Sequence, residues 1–444
     1  MSTLHNDTLK SRPDTGMTAG PKAGCDIAIV GAGPAGLMAA QVLASNGHRV
    51  TIYERMPSPA RKFLLAGRGG LNLTHTEQHD HFLQRYGGAA EPIQRAIDAF
   101  PPEAIIDWAQ GLGQETFIGS SGRVFPKSMK ASPLLRAWLK RLDGLGVKLK
   151  TRHTFVGFAK GGLKISGPTG GAETYAHDAT ILALGGASWP RLGSDGSWVA
   201  PLSQAGVGIT PLTASNAGVI IPWSDHVRLR FAGEPLKRIA VAIDGVTARG
   251  EAVITASGLE GGVIYALSRP IRAALGSPPA VMTIDLRPDM TLPELADRLA
   301  RGAAKDSLSN HLRKAAGLSP AQSAVFREGT AKPLREPQAL AHAVKNVALP
   351  LSGLHGLERA ISTAGGVALA ELDENAMLHS LPGIFVAGEM LDWDAPTGGY
   401  LLTACLATGF SAASGVARWL AKSPRSAAPN DPKLKISVKY SDTP

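Results

Sequence analysis

The stretch from Cys25 to Arg55, CDIAIVGAGPAGLMAAQVLASNGHRVTIYER, constrains this chain more than any other. Asp26 to Val30 is an apolar run of strand length. Gly31, Gly33 and Gly36 follow as GxGxxG, and Leu37 to Ser45 continues at helical spacing until Asn46-Gly47, a helix-stop pair. Val50 to Tyr53 reads as a second strand ending on Glu54. The segment predicts a βαβ unit with a dinucleotide on its first turn. Its glycines permit a tight turn, backbone approach to a pyrophosphate, and close helix–strand packing. The helix N-terminus offers free N–H groups and partial positive charge to that pyrophosphate. Glu54 lies 18 residues after Gly36, placed to accept hydrogen bonds from ribose hydroxyls. A GxGxxG alone is a weak signal; here strand, glycines, helix, second strand and terminal acid all agree.

The chain's 444 residues suggest two or three domains. No run approaches the ~18 apolar residues of a membrane span, so no membrane association is expected. Residues 1–23 are polar without an apolar h-region and read as a flexible tail rather than a secretory signal. Residues 422–444, with Pro, Ser and charge, read as a second flexible tail. The two cysteines, Cys25 and Cys405, argue against a disulfide framework and fit a reducing, cytoplasmic compartment. Net charge is +10, and nine Lys/Arg face three Asp/Glu between Arg298 and Lys345. Such a surplus attracts anions, although runs of this kind are commonly solvated helix faces.

Further along, Arg61 to Thr74 interleaves cations with glycines. Gly67, Gly69 and Gly70 allow close backbone approach, and Lys62 and Arg68 are candidate phosphate partners. Thr116 to Phe125 reads as a hairpin carrying Arg123, with Lys127 just beyond. Both are candidates for the substrate side, against the alternative of a plain surface hairpin. Thr180 to Gly186, TILALGG, is a buried strand ending on the pair Gly185-Gly186, a second place where backbone can approach a ligand. Gly383 to Glu389 is another apolar strand, and Thr397-Gly398-Gly399-Tyr400 opens the helix Leu401 to Leu420. The expected architecture is α/β: a Rossmann-like domain split in sequence, 24–200 plus 350–421, around an inserted domain at 201–349. Within the insert, 201–288 is expected to be antiparallel and barrel-like, and 289–349 helical and basic.

Four motifs, RKFLLAGRGGLNLTH (61–75), SSGRVFPKS (120–128), LGGASWPRLGSDG (184–196) and AGEMLDWDAPTGGYLLTACLATG (387–409), carry a resemblance. Together with GAGPAG they resemble two-dinucleotide-binding-domain flavoproteins of glutathione-reductase-like type. More closely, the chain is similar to bacterial NAD(P)/FAD-dependent oxidoreductases of the aminoacetone-oxidase-like family, related to bile-acid ring reductases. Many members read GRCNLTN where this chain reads Gly67 to His75, without the cysteine.

The resemblance implies FAD. Gly31, Gly33 and Gly36, with Ala32, Pro34 and Ala35 between them, would meet the pyrophosphate, and Glu54 followed by Arg55 the adenosine ribose. Lys62, Arg68, Gly69 and Gly70 would lie along pyrophosphate and ribityl, backbone near Val156 at adenine, and Gly185-Gly186 over the same half. Gly388, Glu389 and Asp392 would serve the ribityl. Gly398, Gly399 and Tyr400 would bring a helix N-terminus to the flavin N1–O2 edge, where reduced flavin carries negative charge.

The expected activity is a two-electron hydride transfer between NADH, NADPH or another reduced donor and a small organic substrate, with Arg123 and Tyr400 as candidate catalytic groups. For Tyr400, ordinary packing is a comparable reading. Cys405 lacks a neighbouring thiol and reads as core. His75, His79 and His81 lack the ligands that would complete a metal site, so none is expected. Two alternatives stay open: a tRNA- or nucleic-acid-linked flavoprotein, and a flavin redox sensor that turns over no substrate. Phe326 is the only aromatic between Arg298 and Lys345, so nucleic acid is not the favoured partner.

Overall fold

The computed structural model describes residues 24–422 except 68, 88–90, 302–306 and 331–335. Arg68, the tail expected at 1–23 and all of the tail expected at 422–444 but Lys422, which ends a helix, therefore lie outside the described residues. Five parallel strands make the central sheet, in the order Ile384–Val386, Ala179–Leu182, Asp26–Val30, Arg49–Glu54, Lys148–Thr151. The three apolar stretches legible in sequence are thus neighbours at the sheet's centre and one edge, and a parallel sheet covered on both faces explains their continuous apolarity. Ile27, Ile29, Ile181 and Phe385 pack beneath the helix Pro34–Ser45, while Val30, Leu182 and Val386 face the other layer.

The helix Tyr400–Lys422 lies along Pro34–Ser45. Gly409 permits the crossing, because a Cβ there would sit 2.3 Å from the Ala35 carbonyl oxygen. This helix corrects one expectation, since it is long and apolar enough to cross a membrane by length and composition. Its apolarity has a different use: 61% of its most apolar window is buried inside the fold.

The chain leaves the Rossmann-like unit along Ile209–Ser215 and returns along Ser362–Val367, and these two strands pair antiparallel. Between them, seven strands form one antiparallel sheet, from Val347–Pro350 through Val281–Asp285, Pro235–Ile243, Val246–Thr255, Gly258–Glu260 and Val219–Ile220 to Gly353–Leu354. The two edge strands are separated in sequence by only Leu351 and Ser352, so the sheet must curl until its edges approach. The helices Leu292–Ala300, Leu308–Ala315, Pro320–Glu328 and Pro337–Lys345 bury Leu295, Leu312, Phe326 and Val344 in the same core as Ile239 and Ile284. The expected seams at 201 and 350 lie near, but not at, this exchange. Leu202 packs in the Rossmann-like core, and Val347–Pro350 is a strand of the insert's sheet.

Part of the basic surplus is structural. Lys345 Nζ donates to Asp285 Oδ2 (2.7 Å) and to the carbonyls of Arg287 and Met290.

Candidate functional site

The three motif glycines divide their tasks in a way the distances make explicit. A Cβ on Gly31 would meet the Ala183 carbonyl at 2.2 Å, and one on Gly36 the Gly31 carbonyl at 2.0 Å, so these two let chain approach chain. A Cβ on Gly33 would meet nothing within 4 Å. It would project into open space where Gly33 lines a cleft of about 920 Å³. Gly33 is also the cap of Pro34–Ser45 and no side chain caps that helix, which leaves its first amides for a ligand.

Ala32, Pro34, Ala35, Glu54 and Arg55 line the same cleft. Glu54 is occupied in a way the sequence did not announce. Its carboxylate accepts the Ala32 N–H and the Met56 N–H, each at 2.8 Å, so it braces the glycine turn, with lone pairs left for hydroxyls. Burial pushes its carboxyl up, against the pull of those two amides. Arg55 is held by Asp195 at 2.5 Å.

A second cleft, of about 1280 Å³, runs from Lys62 past Leu71 and Asn72 to the Gly398-Gly399 turn. The clefts share Pro34, Lys62, Phe63, Glu389 and Cys405, so they form one trough. At the junction Lys62 Nζ donates to Glu389 Oε2 (2.6 Å) and to Ser188 Oγ (2.7 Å). Sequence reasoning nominated Lys62 and Glu389 separately; it missed that they pair, 327 residues apart. Thr363 N–H donates to Glu389 Oε1 at 3.0 Å. Burial, then the charge of Glu389, pushes the Cys405 thiol up to about 12, so it is no thiolate at neutral pH.

Gly185 and Gly388 line the first cleft, with φ of 72° and 84°. Gly186 faces away, where a Cβ would fall 2.3 Å from Thr363 Oγ1. Gly69 has open space beside it, and Gly70 lies under Met129. At the far end, Gly399 is pressed on Thr74 and Gly398 on the Arg123 guanidinium, whose Nε would be 3.3 Å from a Cβ. His75 pairs across strands with Arg123, and among the described residues no carboxylate pairs with that guanidinium.

The Val156 side chain is turned outward as the extra residue of a β-bulge between Phe155 and Gly157, and the chain just before it, His153, Thr154 and Phe155, lines the cleft, near Val156 as expected. Two nominated side chains, Asp392 and Tyr400, depart from expectation. Asp392 accepts from Thr210 Oγ1 (2.6 Å) and borders a separate cavity of about 850 Å³ with Arg269, Arg272 and Asp394, at the joint with the insert. Tyr400 is buried against His75 and Phe82, and its hydroxyl donates to Glu77 rather than facing the trough. Burial, then the hydrogen bond to Glu77 and its charge, push that phenol well up, so it stays protonated. Lys127, the other hairpin cation, is paired with Glu115.

Two buried polar atoms in the trough have no partner: Ser194 Oγ in the first cleft and Asn72 Oδ1 in the second. Orphaned groups of this kind are rare unless a ligand completes them. With the free helix amides and the open space at Gly33, they fit a dinucleotide lying from Glu54 to Gly398.

A family model described as HI0933-like protein Rossmann domain matches residues 25–415. The chain belongs to that family. HI0933-like proteins are a FAD-binding Rossmann family of oxidoreductases. Relatives of this HI0933-like chain include the ribosomal RNA dihydrouridine synthase of Escherichia coli, 25% identical over 84% of this chain and 94% of the relative. The 3-dehydro-bile acid delta(4,6)-reductase of Clostridium scindens is 27% identical over 87% and 97%. Solved structures of similar fold include a flavocytochrome c3 fumarate reductase, with 17% identity, TM-score 0.49, and 90% and 79% of the two chains covered. Another is the 3-ketosteroid-delta4-(5alpha)-dehydrogenase of Rhodococcus jostii RHA1, with 16% identity, TM-score 0.47, and 92% and 100% covered.

Proposed function

We propose that this chain is a FAD-dependent reductase that saturates a carbon–carbon double bond conjugated to a carbonyl in a small organic substrate, with NADH or NADPH as the electron donor. The observation that carries the reading is the single trough joining the Gly33 turn to the Gly398-Gly399 turn through Lys62 and Glu389. FAD, when bound, supplies the two-electron chemistry. Free amides at Pro34–Ser45 and the Lys62 cation hold its pyrophosphate; Ser194 and Glu54 take adenosine hydroxyls; Asn72 and the Gly398-Gly399 turn hold the flavin end. Arg123, beside Gly398 and without a carboxylate partner among the described residues, donates to the substrate carbonyl and draws electron density from the double bond.

The relatives support this type of bond. Dihydrouridine is uridine with its ring double bond saturated, and a delta(4,6)-reductase of a 3-dehydro-bile acid acts on ring double bonds conjugated with a ketone.

A second reading applies the same chemistry to a uracil within ribosomal RNA. The E. coli and Haemophilus influenzae relatives favour it, as does the basic surplus between Arg298 and Lys345.

The test is an absorbance spectrum of the purified protein followed by anaerobic titration with NADH and NADPH. Flavin bands that bleach, and that return on adding an enone, support the reductase. A colourless protein that FAD cannot reconstitute overturns it. A salt-dependent RNA shift, with dihydrouridine formed in the bound RNA, would favour the second reading over the first.

A further inference from the structure

Trp189 holds a backbone that its neighbours in sequence oppose. Its φ is 63° and its ψ 60°, a left-handed conformation disfavoured for any residue with a Cβ and an outlier for a bulky one. Pro190 follows, and a proline pushes the preceding residue toward extended backbone. The bend persists because both flanks are fixed. On one side the N–H groups of Ala187 and Ser188 both donate to Thr363 Oγ1, at 2.8 and 3.1 Å, and fully buried Ser188 receives Lys62. On the other, Leu192 N–H donates back to the Trp189 carbonyl at 2.8 Å. Strain that is over-determined in this way gathers at functional sites.

The bend delivers an indole to the wall of the second cleft, half-buried, across the same space as Asn72 and Gly398. Among the described residues its ring makes no aromatic contact and its Nε1–H no hydrogen bond. By contrast, Trp198 and Trp393 each spend Nε1 on a backbone carbonyl. Trp189 also adjoins Ile361, whose carbonyl accepts from Ser188 Oγ at 3.4 Å and through which the chain returns from the insert. The ring therefore stands in the second cleft where the trough meets the insert.

We propose that Trp189 is the plate on which the substrate lies, so that the site selects a flat, conjugated ring over an open-chain enone. This rests on the reductase reading for its site but makes a separate claim. An electron-rich indole face attracts an electron-poor conjugated ring, and stacking of this kind is worth roughly a tenfold change in affinity or more.

The experiment uses the full-length flavin-loaded protein and its Trp189→Phe, Trp189→Leu and Trp189→Asn variants. Asn tolerates the left-handed backbone, so it removes the ring without adding strain. Coumarin, flat and fused, and crotonaldehyde, open-chain, are titrated against the flavin absorbance. The expected result is coumarin binding about tenfold weaker in the Leu and Asn variants and nearly retained in Phe. Crotonaldehyde binding and the flavin spectrum and content should be unchanged in all three. Equal coumarin affinity in wild type and Trp189→Leu overturns the proposal, as does a wild type that binds no coumarin. Loss or spectral shift of flavin in the variants also overturns it, since the ring would then serve the cofactor. A wild type that binds coumarin through Trp189 but reduces no enone with either nucleotide defeats the reductase reading and leaves the plate standing.

Discussion

Replacing Gly409 by Ala tests whether the helix crossing sets the cofactor turn. The added Cβ would lie 2.3 Å from the Ala35 carbonyl oxygen and 2.9 Å from both Ala35 C and Cα, where contacts under 3.0 Å are essentially never seen. These are backbone atoms, so no side chain can swing away, and the helices must part by at least about 0.7 Å. Overpacking of this kind costs about 1–3 kcal/mol, and the better helix propensity of Ala returns about 1 kcal/mol. A net loss near 1 kcal/mol is expected in a urea unfolding curve. The larger effect should fall on the cofactor. Ala35 stands in the first helical turn, beside the amides that face the trough, and its displacement should weaken FAD binding by about tenfold, equivalent to about 1.4 kcal/mol. Gly144→Ala supplies the control. That residue ends the helix Ala131–Gly144 with open space around it, and the substitution should stabilise by up to about 1 kcal/mol with FAD affinity unchanged. If Gly409→Ala matches wild type in both stability and FAD affinity, the crossing does not govern the turn and the reasoning fails.

Lys62→Met leaves the mostly buried Glu389 carboxylate without its cation, and should raise the FAD dissociation constant in a reconstitution titration by about ten- to a hundredfold. Cys405→Ser should leave turnover unchanged, and in peptide mapping of wild-type protein Cys405 should resist iodoacetamide at neutral pH, because its thiol titrates only near 12. For Glu77, burial opposes the charge, but hydrogen bonds from Arg85 and Tyr400 outweigh it and hold the carboxyl below its ordinary value. A depressed acid contributes stability that is complete above that ordinary value and disappears as pH falls through the folded value. The melting temperature of Glu77→Gln should therefore fall less than that of wild type between about pH 5 and pH 3. Arg123→Gln should raise KM for an enone at least about tenfold while leaving flavin content intact.

What was legible in the sequence was local. The Gly31–Gly36 turn, the strand ends at Gly185 and Gly388 and the helix-opening glycines at 398 and 399 are each written in a few adjacent residues. Period-2 and period-3.6 patterns place them without tertiary information. The trough's middle was not legible, because it is made by contact across the chain. Nothing near Lys62 announces Glu389, and nothing near Ser188 announces Thr363. The outward turn of the Val156 side chain was not legible, because a bulge reverses side-chain alternation without a composition signal. Asp392 was misplaced because Val367 and Leu391 bridge in parallel, which carries the chain toward the insert directly after Glu389. The left-handed turn at Trp189 contradicts the usual meaning of a residue before proline, so local rules argued against it.

The paired strands Ile209–Ser215 and Ser362–Val367 have a consequence for ancestry and engineering. Because the outgoing and returning chains are already zipped side by side, everything between them can be excised and the gap closed with a short hairpin, without moving the parallel sheet. A lineage can thus exchange the insert while inheriting the nucleotide frame, Arg123 and Trp189 included, and a laboratory graft at 216–361 follows the same route.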